Sequence, residues 1–268
     1  MLKKYVINVP FTSMYGTPEV GEVISQVIMG EIIDVLSFSS GFAKIVAEDG
    51  YTGYVEESVL REFEVEERPI AITKEPFSNA YSGPTVKSKL IFTLSIGSVL
   101  LDKGKEDGDY RLVSDFYGRE FYLHKNTLIL ATYPFQYERR GCKDILKTAL
   151  QFLNIPYFWG GKTTFGFDCS GFVQTVFKLN GFKLLRDAHM QANMDIFKKF
   201  YLGDSELLPC DVIFFGKVKI DHVGIYLGHN RFIHATTFNV PKVQISEFNY
   251  YWKEKTNIIG RLDVARLS

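Results

Sequence analysis

The sequence predicts an α+β architecture in which two small β-barrels precede a domain of helices and antiparallel strands. Short apolar strands between turn signals fill residues 1–133, a strand-and-turn plan occurs twice there, and helical periodicity begins only after Pro134. Strands that precede separate helices are typical of α+β or multidomain chains. We expect β-barrels at 1–65 and 66–133, and an α+β domain at 134–268.

The repeat connects "EIIDVLSFSSGFAKIVAEDGYTGYVEESVL" with "GSVLLDKGKEDGDYRLVSDFYGREFYLHKNTL". Gly30 matches Gly97, and the pair Tyr54–Val55 matches Tyr122–Leu123 after a one-residue insertion. The order of strand and turn signals is kept although identity is low. Internal similarity of this kind predicts two copies of one small β-barrel.

The third segment begins after a predicted linker, "ATYPFQYERR". The stretch "GCKDILKTALQFLN" carries the apolar stripe of a helix, and "FDCSGFVQTVFKLNG" carries a second one. Asp168 or Ser170 is a candidate N-cap of that second helix, and Gly181 a candidate C-cap. The runs "DVIFFG", "HVGIYLG" and "RFIHAT" then predict successive antiparallel strands.

Composition limits the classes of function. Lys plus Arg and Asp plus Glu both number 31, which gives no electrostatic reason to expect nucleic acid or an anionic membrane as partner. No window is apolar enough for a membrane span, and "YVINV" is too short for a signal peptide. We expect a cytoplasmic protein, or an exported or periplasmic one if a leader has been removed, and we favour a monomer.

The three cysteines are Cys142, Cys169 and Cys210, widely spaced and without a C-x-x-C pair. This spacing argues against a disulfide framework or a zinc site, and it fits a reducing compartment. We therefore expect neither a metal nor an organic cofactor.

Cys169 lies in "WGGKTTFGFDCSGFV", at the predicted start of a helix. The positive end of the helix dipole and the unpaired N–H groups there favour a thiolate, which is the nucleophilic form. Glycines around it would let a substrate backbone approach closely, and these are Gly160, Gly161, Gly166 and Gly171. His222 and His234 lie on strands joined by "GHNR", so a hairpin could place a base and an orienting residue together. Taken singly, such a cysteine is more often a small core residue.

These motifs resemble the NlpC/P60 family of papain-like cysteine peptidases, which cut cell-wall peptides. The likeness runs from about Cys142 to the C-terminus and includes "PYFWGGKTTFGFDCSGFV", "PCDVIFFG", "DHVGIYLG" and "FIHAT". The resemblance implies a papain-like fold with Cys169 as nucleophile, His222 as base and His234 as orienting residue. It also implies that the Tyr157 hydroxyl points towards the oxyanion.

A subgroup with SH3-like domains before the peptidase implies a sharper function. Its members resemble murein-recycling endopeptidases that cleave the γ-D-glutamyl–meso-diaminopimelate bond of peptides with a free N-terminal L-alanine. The resemblance implies that Asp168 binds the free amine and that Trp159 and Ser170 line the pocket. Tyr51 of the first SH3-like domain would close the far end. The plainer alternatives are a helix N-cap for Asp168 and a surface turn for Tyr51.

Two positions depart from the family pattern. Ala188 in "RDAHMQ" supplies no hydroxyl, so a polar substrate contact could be missing or could move to Gln191 or His189. Cys210 stands where a glycine is common, a change we interpret as structural. Two other functions stay open, namely an amidase or acyl transferase that uses the same site, and a murein-peptide-binding protein without activity.

Overall fold

The computed structural model describes residues 4–263 and divides the chain into two compact units, Met1–Gln136 and Tyr137–Ser268. The N-terminal unit consists of fourteen strands in two sheets within the described residues. The first sheet contains β1 (Lys4–Ile7), β2 (Phe11–Tyr15), β3 (Val23–Ile28), β4 (Ile32–Ser39), β5 (Phe42–Val46), β6 (Thr52–Glu56) and β7 (Leu60–Glu62). The second contains β8 (Arg68–Thr73), β9 (Phe77–Tyr81), β10 (Leu90–Ser95), β11 (Val99–Asp107), β12 (Tyr110–Ser114), β13 (Glu120–His124) and β14 (Leu128–Tyr133).

The two sheets share one topology. The strand order is β3-β2-β6-β5-β4-β1-β7 in the first and β10-β9-β13-β12-β11-β8-β14 in the second. Each strand of the second sheet therefore has the position of the strand numbered seven lower in the first. Gly30 and Gly97, which the repeat aligned, have φ values of +83° and +82° at the same turn. The repeat found in the sequence is therefore a repeat of fold.

Each sheet encloses an apolar core. The second core also contains Met29, which follows β3 of the first sheet. Met29 is fully buried and packs in the second core with residues such as Leu100 and Phe121. Its backbone oxygen accepts a hydrogen bond of 2.9 Å from the Val99 N–H. Because both sheets belong to one compact unit, the division into separate domains at 1–65 and 66–133 stays a prediction.

The C-terminal unit combines four helices with a six-stranded antiparallel sheet within the described residues. The helices are α1 (Cys142–Gln151), α2 (Cys169–Leu179), α3 (Ala188–Asn193) and α4 (Tyr250–Lys255). A short hairpin is formed by β15 (Lys162–Thr163) and β16 (Gly166–Phe167). The main sheet contains β17 (Phe197–Phe200), β18 (Val212–Phe215), β19 (His222–Gly228), β20 (Arg231–Thr236), β21 (Lys242–Glu247) and β22 (Thr256–Leu262), in the order β17-β22-β18-β19-β20-β21.

Helix α2 packs across β19 and β20, and nearly every residue of its first eight is buried. Its start is capped by the Asp168 carboxylate, which accepts a hydrogen bond from the Gly171 N–H at 2.7 Å. Gly181 follows the last turn with a φ of +82°, where a glycine is unstrained. The α+β prediction is confirmed, and of the two candidate N-caps the structure selects Asp168.

Between residues 4 and 263 no helix combines the length and apolarity needed to cross a membrane. In the same range no group of three or more His, Cys, Asp or Glu side chains is placed to hold a metal ion.

Candidate active site

The loop before Cys169 is packed tightly against itself and against α2. A Cβ atom at Gly171 would collide with the carbonyl oxygen of Gly161, and one at Gly161 would collide with the carbonyl oxygen of Gly166. A side chain at Gly166 would in turn meet Phe158. These three glycines therefore serve the chain's own backbone packing, and the prediction that they leave room for a substrate backbone is wrong for them.

Cys169 is the first residue of α2, and its side chain is almost buried at 9% exposure. Burial and the neighbouring Asp168 carboxylate raise the pKa of its thiol to about 12, although Arg186 and the backbone N–H groups of Ser170 and Val223 act in the opposite direction. The thiol donates a long hydrogen bond of 3.9 Å to the Asp221 carbonyl. The expectation of a thiolate stabilised by the helix N-terminus is wrong for the resting site, because desolvation outweighs the helix dipole.

The two histidines meet, as the predicted hairpin requires. His222 begins β19 and His234 lies in the paired β20, and the turn between them has positive φ values at Gly228, His229 and Asn230. His222 Nε2 lies 2.7 Å from His234 Nδ1. His222 Nδ1 is thereby left as the ring nitrogen that can accept a proton from a thiol.

A serine on the next strand extends this contact. Ser246 of β21 places its Oγ 2.9 Å from His234 Nε2. If His222 Nδ1 is to accept a proton, its Nε2–H must donate to His234 Nδ1, and the His234 Nε2–H must then donate to Ser246. Ser246 can accept the hydrogen bond that this pair of tautomers requires. We did not identify it from the sequence, because the contact depends on the β20–β21 register and has no local motif.

Aromatic side chains enclose both imidazoles. The His222 ring packs against both Phe215 and Trp252, with centroids at 5.5 and 5.7 Å, and His234 is fully buried against Phe232 at 4.4 Å. Burial lowers the pKa of His222 to about 4, with a further contribution from Lys255. Burial, and next the neighbouring His222, lower the pKa of His234 well below its usual value. Both rings are neutral at pH 7.

Asp168 is the centre of a buried ionic network. Arg186 donates to Asp168 Oδ1 at 3.1 Å and to Oδ2 at 2.6 Å, and also to Ser170 Oγ at 2.9 Å. Ser170 in turn donates to Asp168 Oδ1 at 3.2 Å. Arg186 is 1% exposed, so this is a buried bidentate pair. The sequence contained Arg186 within "RDAHMQ" but gave no indication of its partner.

Two aromatic residues that we predicted for the site lie on the loop before β15. Tyr157 is half-buried and close enough to Cys169 and Asp168 for their charges to act on it. Burial raises the pKa of its phenol, so the hydroxyl remains a hydrogen-bond donor at neutral pH. Trp159 is 63% exposed and free of the core. A half-buried hydroxyl and an exposed ring are both available to a ligand.

The remaining candidates have structural contacts. Tyr51 is half-buried and packs on the first core of the N-terminal unit, and its role in closing the site stays a prediction.

Gln191 is fully buried and donates to the carbonyls of Ser170 and Leu185, so the predicted shift of a substrate contact to Gln191 is wrong. His189 is half-buried on α3. Cys210 has a φ of +78°, which explains why a glycine suits this position.

Together these groups can perform nucleophilic acyl transfer. A buried thiol at a helix start lies beside the residue preceding His222, the neutral imidazole of His222 is hydrogen-bonded to His234, and a phenol donor is close. This is the set of groups that cleavage of an amide through a thioester requires. The catalytic and substrate-binding assignments to individual residues stay predictions.

Removing the Arg186 guanidinium should destabilise the C-terminal unit strongly. Arg186→Met leaves the Asp168 carboxylate buried without its partner, a change that typically costs about 3–5 kcal/mol. Both tryptophans, Trp159 and Trp252, belong to this unit, so urea unfolding followed by tryptophan fluorescence reports on it alone. The double variant Asp168→Asn/Arg186→Met should recover part of the loss. A single variant as stable as the wild type would contradict the buried pair.

Acid should weaken the same unit. The pKa of His222 in the folded state lies below the value of about 6.5 for an unfolded histidine. The unfolded chain therefore binds more protons between about pH 6.5 and 4, and stability falls as the pH is lowered through that window. His222 alone should contribute a loss on the order of 3 kcal/mol by pH 4. The same fluorescence melts, run on the His222→Asn/His234→Asn variant, should show a shallower pH slope; an unchanged slope would refute the assignment.

Comparison with known proteins agrees with this geometry. Residues 154–261 match the NlpC/P60 family, and residues 14–60 match the bacterial dipeptidyl-peptidase SH3 domain. The γ-D-glutamyl-L-lysine dipeptidyl-peptidase of Bacillus subtilis (strain 168) is 27% identical over 248 residues, which cover 88% of this chain and 79% of that protein.

Two further comparisons concern the C-terminal unit and the fold. The murein DD-endopeptidase/murein LD-carboxypeptidase of Escherichia coli (strain K12) is 39% identical over 111 residues, which cover 40% of this chain and 56% of that protein. The crystal structure of an NlpC/P60 family protein from Bacillus cereus ATCC 10987 superposes with a TM-score of 0.83 at 21% identity, over 97% of this chain and 99% of that one. Residues 154–261 are therefore an NlpC/P60 cysteine peptidase domain, which follows an SH3-like region, and the fold of the chain is that of its NlpC/P60 structural neighbour.

Proposed function

We propose that the protein hydrolyses the bond between γ-D-glutamate and a diamino acid, meso-diaminopimelate in the first instance, in murein peptides with a free N-terminal L-alanine. The observation that carries this proposal is the line of contacts from His222 through His234 to Ser246, next to a buried Cys169 thiol that donates to the carbonyl of Asp221, the residue before His222. The γ-D-glutamyl-L-lysine dipeptidyl-peptidase similarity over most of the chain supports the bond type. A free-peptide substrate would fit a role in recycling cell-wall fragments.

Acylation begins with two neutral groups. As Cys169 Sγ attacks the γ-carbonyl carbon of D-glutamate, His222 Nδ1 takes the thiol proton, and the carbonyl oxygen becomes an oxyanion. In this proposal the Tyr157 hydroxyl and the N–H groups at the start of α2 donate to that oxygen, which is supported by the proximity of Tyr157 to Cys169. Because the thiol pKa is raised and the His222 pKa is lowered, proton transfer accompanies attack rather than preceding it.

The second half of acylation returns the proton. The imidazolium of His222 protonates the leaving nitrogen as the carbon–nitrogen bond breaks, which frees the diamino acid and leaves a thioester on Cys169. Water then attacks the thioester with His222 as base, and the L-Ala-D-Glu product leaves with a new γ-carboxylate. His234 and Ser246 hold the ring that carries the proton in each direction.

Recognition of the free amine would fall to one oxygen of Asp168. Oδ1 already accepts hydrogen bonds from Gly171, Ser170 and Arg186, whereas Oδ2 accepts one from Arg186. A carboxylate oxygen has about two acceptor positions, so Oδ2 can take an ammonium proton as well.

The buried Arg186 also favours a second candidate function. Its guanidinium already neutralises Asp168 and repels a second cation, which would relax the demand for a free amine. The alternative is therefore a peptidase with the same bond specificity that also accepts peptides with a blocked N-terminus. The continuous hydrogen-bonded line from His222 to Ser246 argues against a binding protein without activity.

The decisive assay uses synthetic L-Ala-γ-D-Glu-meso-diaminopimelate and its N-acetylated copy, with products followed by mass spectrometry. We expect release of diaminopimelate from the free peptide, at least tenfold less from the acetylated peptide, and none from Cys169→Ala, because one charge-assisted hydrogen bond contributes about 1.5–3 kcal/mol. Equal cleavage of both peptides would select the second candidate. Absence of cleavage would leave the amidase or transferase reactions.

Alkylation of Cys169 can serve as a control for its role as nucleophile. The labelled cysteine must then be identified by peptide mass spectrometry, because the chain has three free cysteines. The neighbouring Cys210 lowers the pKa of the exposed Cys142 thiol, so alkylation of Cys142 must be distinguished from alkylation of Cys169. A Cys142→Ser background removes that signal. Retained cleavage by Cys142→Ser, together with its loss in Cys169→Ala, assigns the nucleophile.

The Ser246 hydroxyl should affect the rate more than binding. Ser246→Ala removes the acceptor for His234 Nε2, and loss of one neutral hydrogen bond of about 1 kcal/mol corresponds to a fall in kcat of about fivefold. Ser246→Thr, which keeps the hydroxyl, should restore most of the rate. The measurement is kcat and KM across pH 5–9; an unchanged kcat and pH profile in Ser246→Ala would show that the hydroxyl does not hold the tautomer.

A further inference from the structure

A cleft of about 340 Å³ adjoins the imidazole of His222 on the C-terminal unit. Its walls are largely aromatic, with Phe215, Phe238, Tyr251 and Trp252 among the lining side chains. This volume lies near the lower end of ligand sites, which span roughly 300–1,000 Å³. The cleft therefore has room for one amino-acid-sized group rather than for a polymer.

Chemistry decides which part of a substrate enters this cleft. The scissile carbon must lie at Cys169, and the imidazolium of His222 must reach the leaving nitrogen to protonate it. The side chains proposed for the acyl part, Tyr157, Trp159 and Asp168, do not line the cleft. Through His222, the one group of the proposed machinery that lines the cleft, a leaving diamino acid would reach into it.

Three charged side chains line the same cleft. Lys217 and Lys255 carry two positive charges, and Asp221 carries one negative charge. Lys255 is held in place, since its Nζ donates to the Tyr251 hydroxyl at 2.6 Å and lies 4.3 Å from the centroid of that ring. Asp221 is exposed and directly precedes His222, next to the reacting atoms.

We infer that this cleft binds the leaving diamino acid and that Lys217 and Lys255 select one with a second carboxylate. A C-terminal meso-diaminopimelate residue presents two carboxylates and one ammonium, which match two lysines and one aspartate in number and sign. A C-terminal L-lysine presents one carboxylate and one ammonium, and would leave one lysine of the cleft unpaired. The inference rests on the proposed function and names the residues that set its selectivity.

The test compares kcat/KM for L-Ala-γ-D-Glu-meso-diaminopimelate and L-Ala-γ-D-Glu-L-lysine. We expect the wild type to prefer the diaminopimelate peptide by at least tenfold, and Lys255→Met to reduce that ratio about tenfold, because a hydrogen bond to a charged group contributes about 1.5–3 kcal/mol. Lys255 also lowers the pKa of His222, but that effect is common to both peptides and cancels in the ratio of their kcat/KM values. Lys253→Met, on the same helix but outside the cleft, is the matched control and should leave the ratio unchanged.

Each outcome bears on one statement only. Cleavage of neither peptide by the wild type would overturn the proposed function. Cleavage of both with a ratio near one, or a preference for the lysine peptide, would overturn the inference and leave the proposed function standing. If Lys255→Met does not fold, the exposed Lys217→Met variant must lower the ratio instead; a ratio unchanged in that variant would equally overturn the inference.

Discussion

The carboxylate of Asp168 is the constraint on which the catalytic unit depends. It caps α2 through the Gly171 N–H and binds Arg186 with both oxygens, so it fixes the first turn of the helix that carries Cys169. A buried carboxylate is tolerated only when charge and hydrogen bonds satisfy it. The loop that precedes it is held by glycine contacts so close that no side chain fits, and the nucleophile is therefore placed by backbone packing as much as by its own contacts.

The resting site holds its reactive groups, the Cys169 thiol and the His222 imidazole, neutral. Desolvation raises the pKa of the Cys169 thiol and lowers that of the His222 imidazole, so neither is ionised near pH 7. The fixed charges nearby are the paired Asp168 and Arg186 and, in the cleft beside His222, two lysines and Asp221. In such a low-dielectric site a charge that develops during reaction is felt strongly by fixed donors and dipoles. The hydrogen bonds from His222 to His234 and from His234 to Ser246 then orient the imidazole that would carry the proton.

Local patterns in the sequence were sufficient for the elements and for the residues that meet within one hairpin. Periodicity located α1 and α2, alternation located β18 to β20, and the short turn predicted the contact between His222 and His234. Ser246 and Arg186 could not be predicted, because their contacts depend on strand register and on a buried ion pair that spans 18 residues. The thiolate expectation failed for a different reason: a helix dipole contributes up to about 2 kcal/mol, whereas full burial can shift a pKa by 3–5 units.

The surroundings of Asp168 and the cleft beside His222 differ in net charge, and this difference suggests how the two ends of the proposed peptide substrate would be bound. In the proposed complex the net charge on the acyl side is close to zero, because Arg186 compensates Asp168, so an N-terminal ammonium would gain mainly a directed hydrogen bond to Oδ2. On the leaving side the cleft has a net positive charge, and carboxylates gain a Coulombic attraction there. Discrimination between peptides should therefore be stronger at the diamino acid than at the alanine.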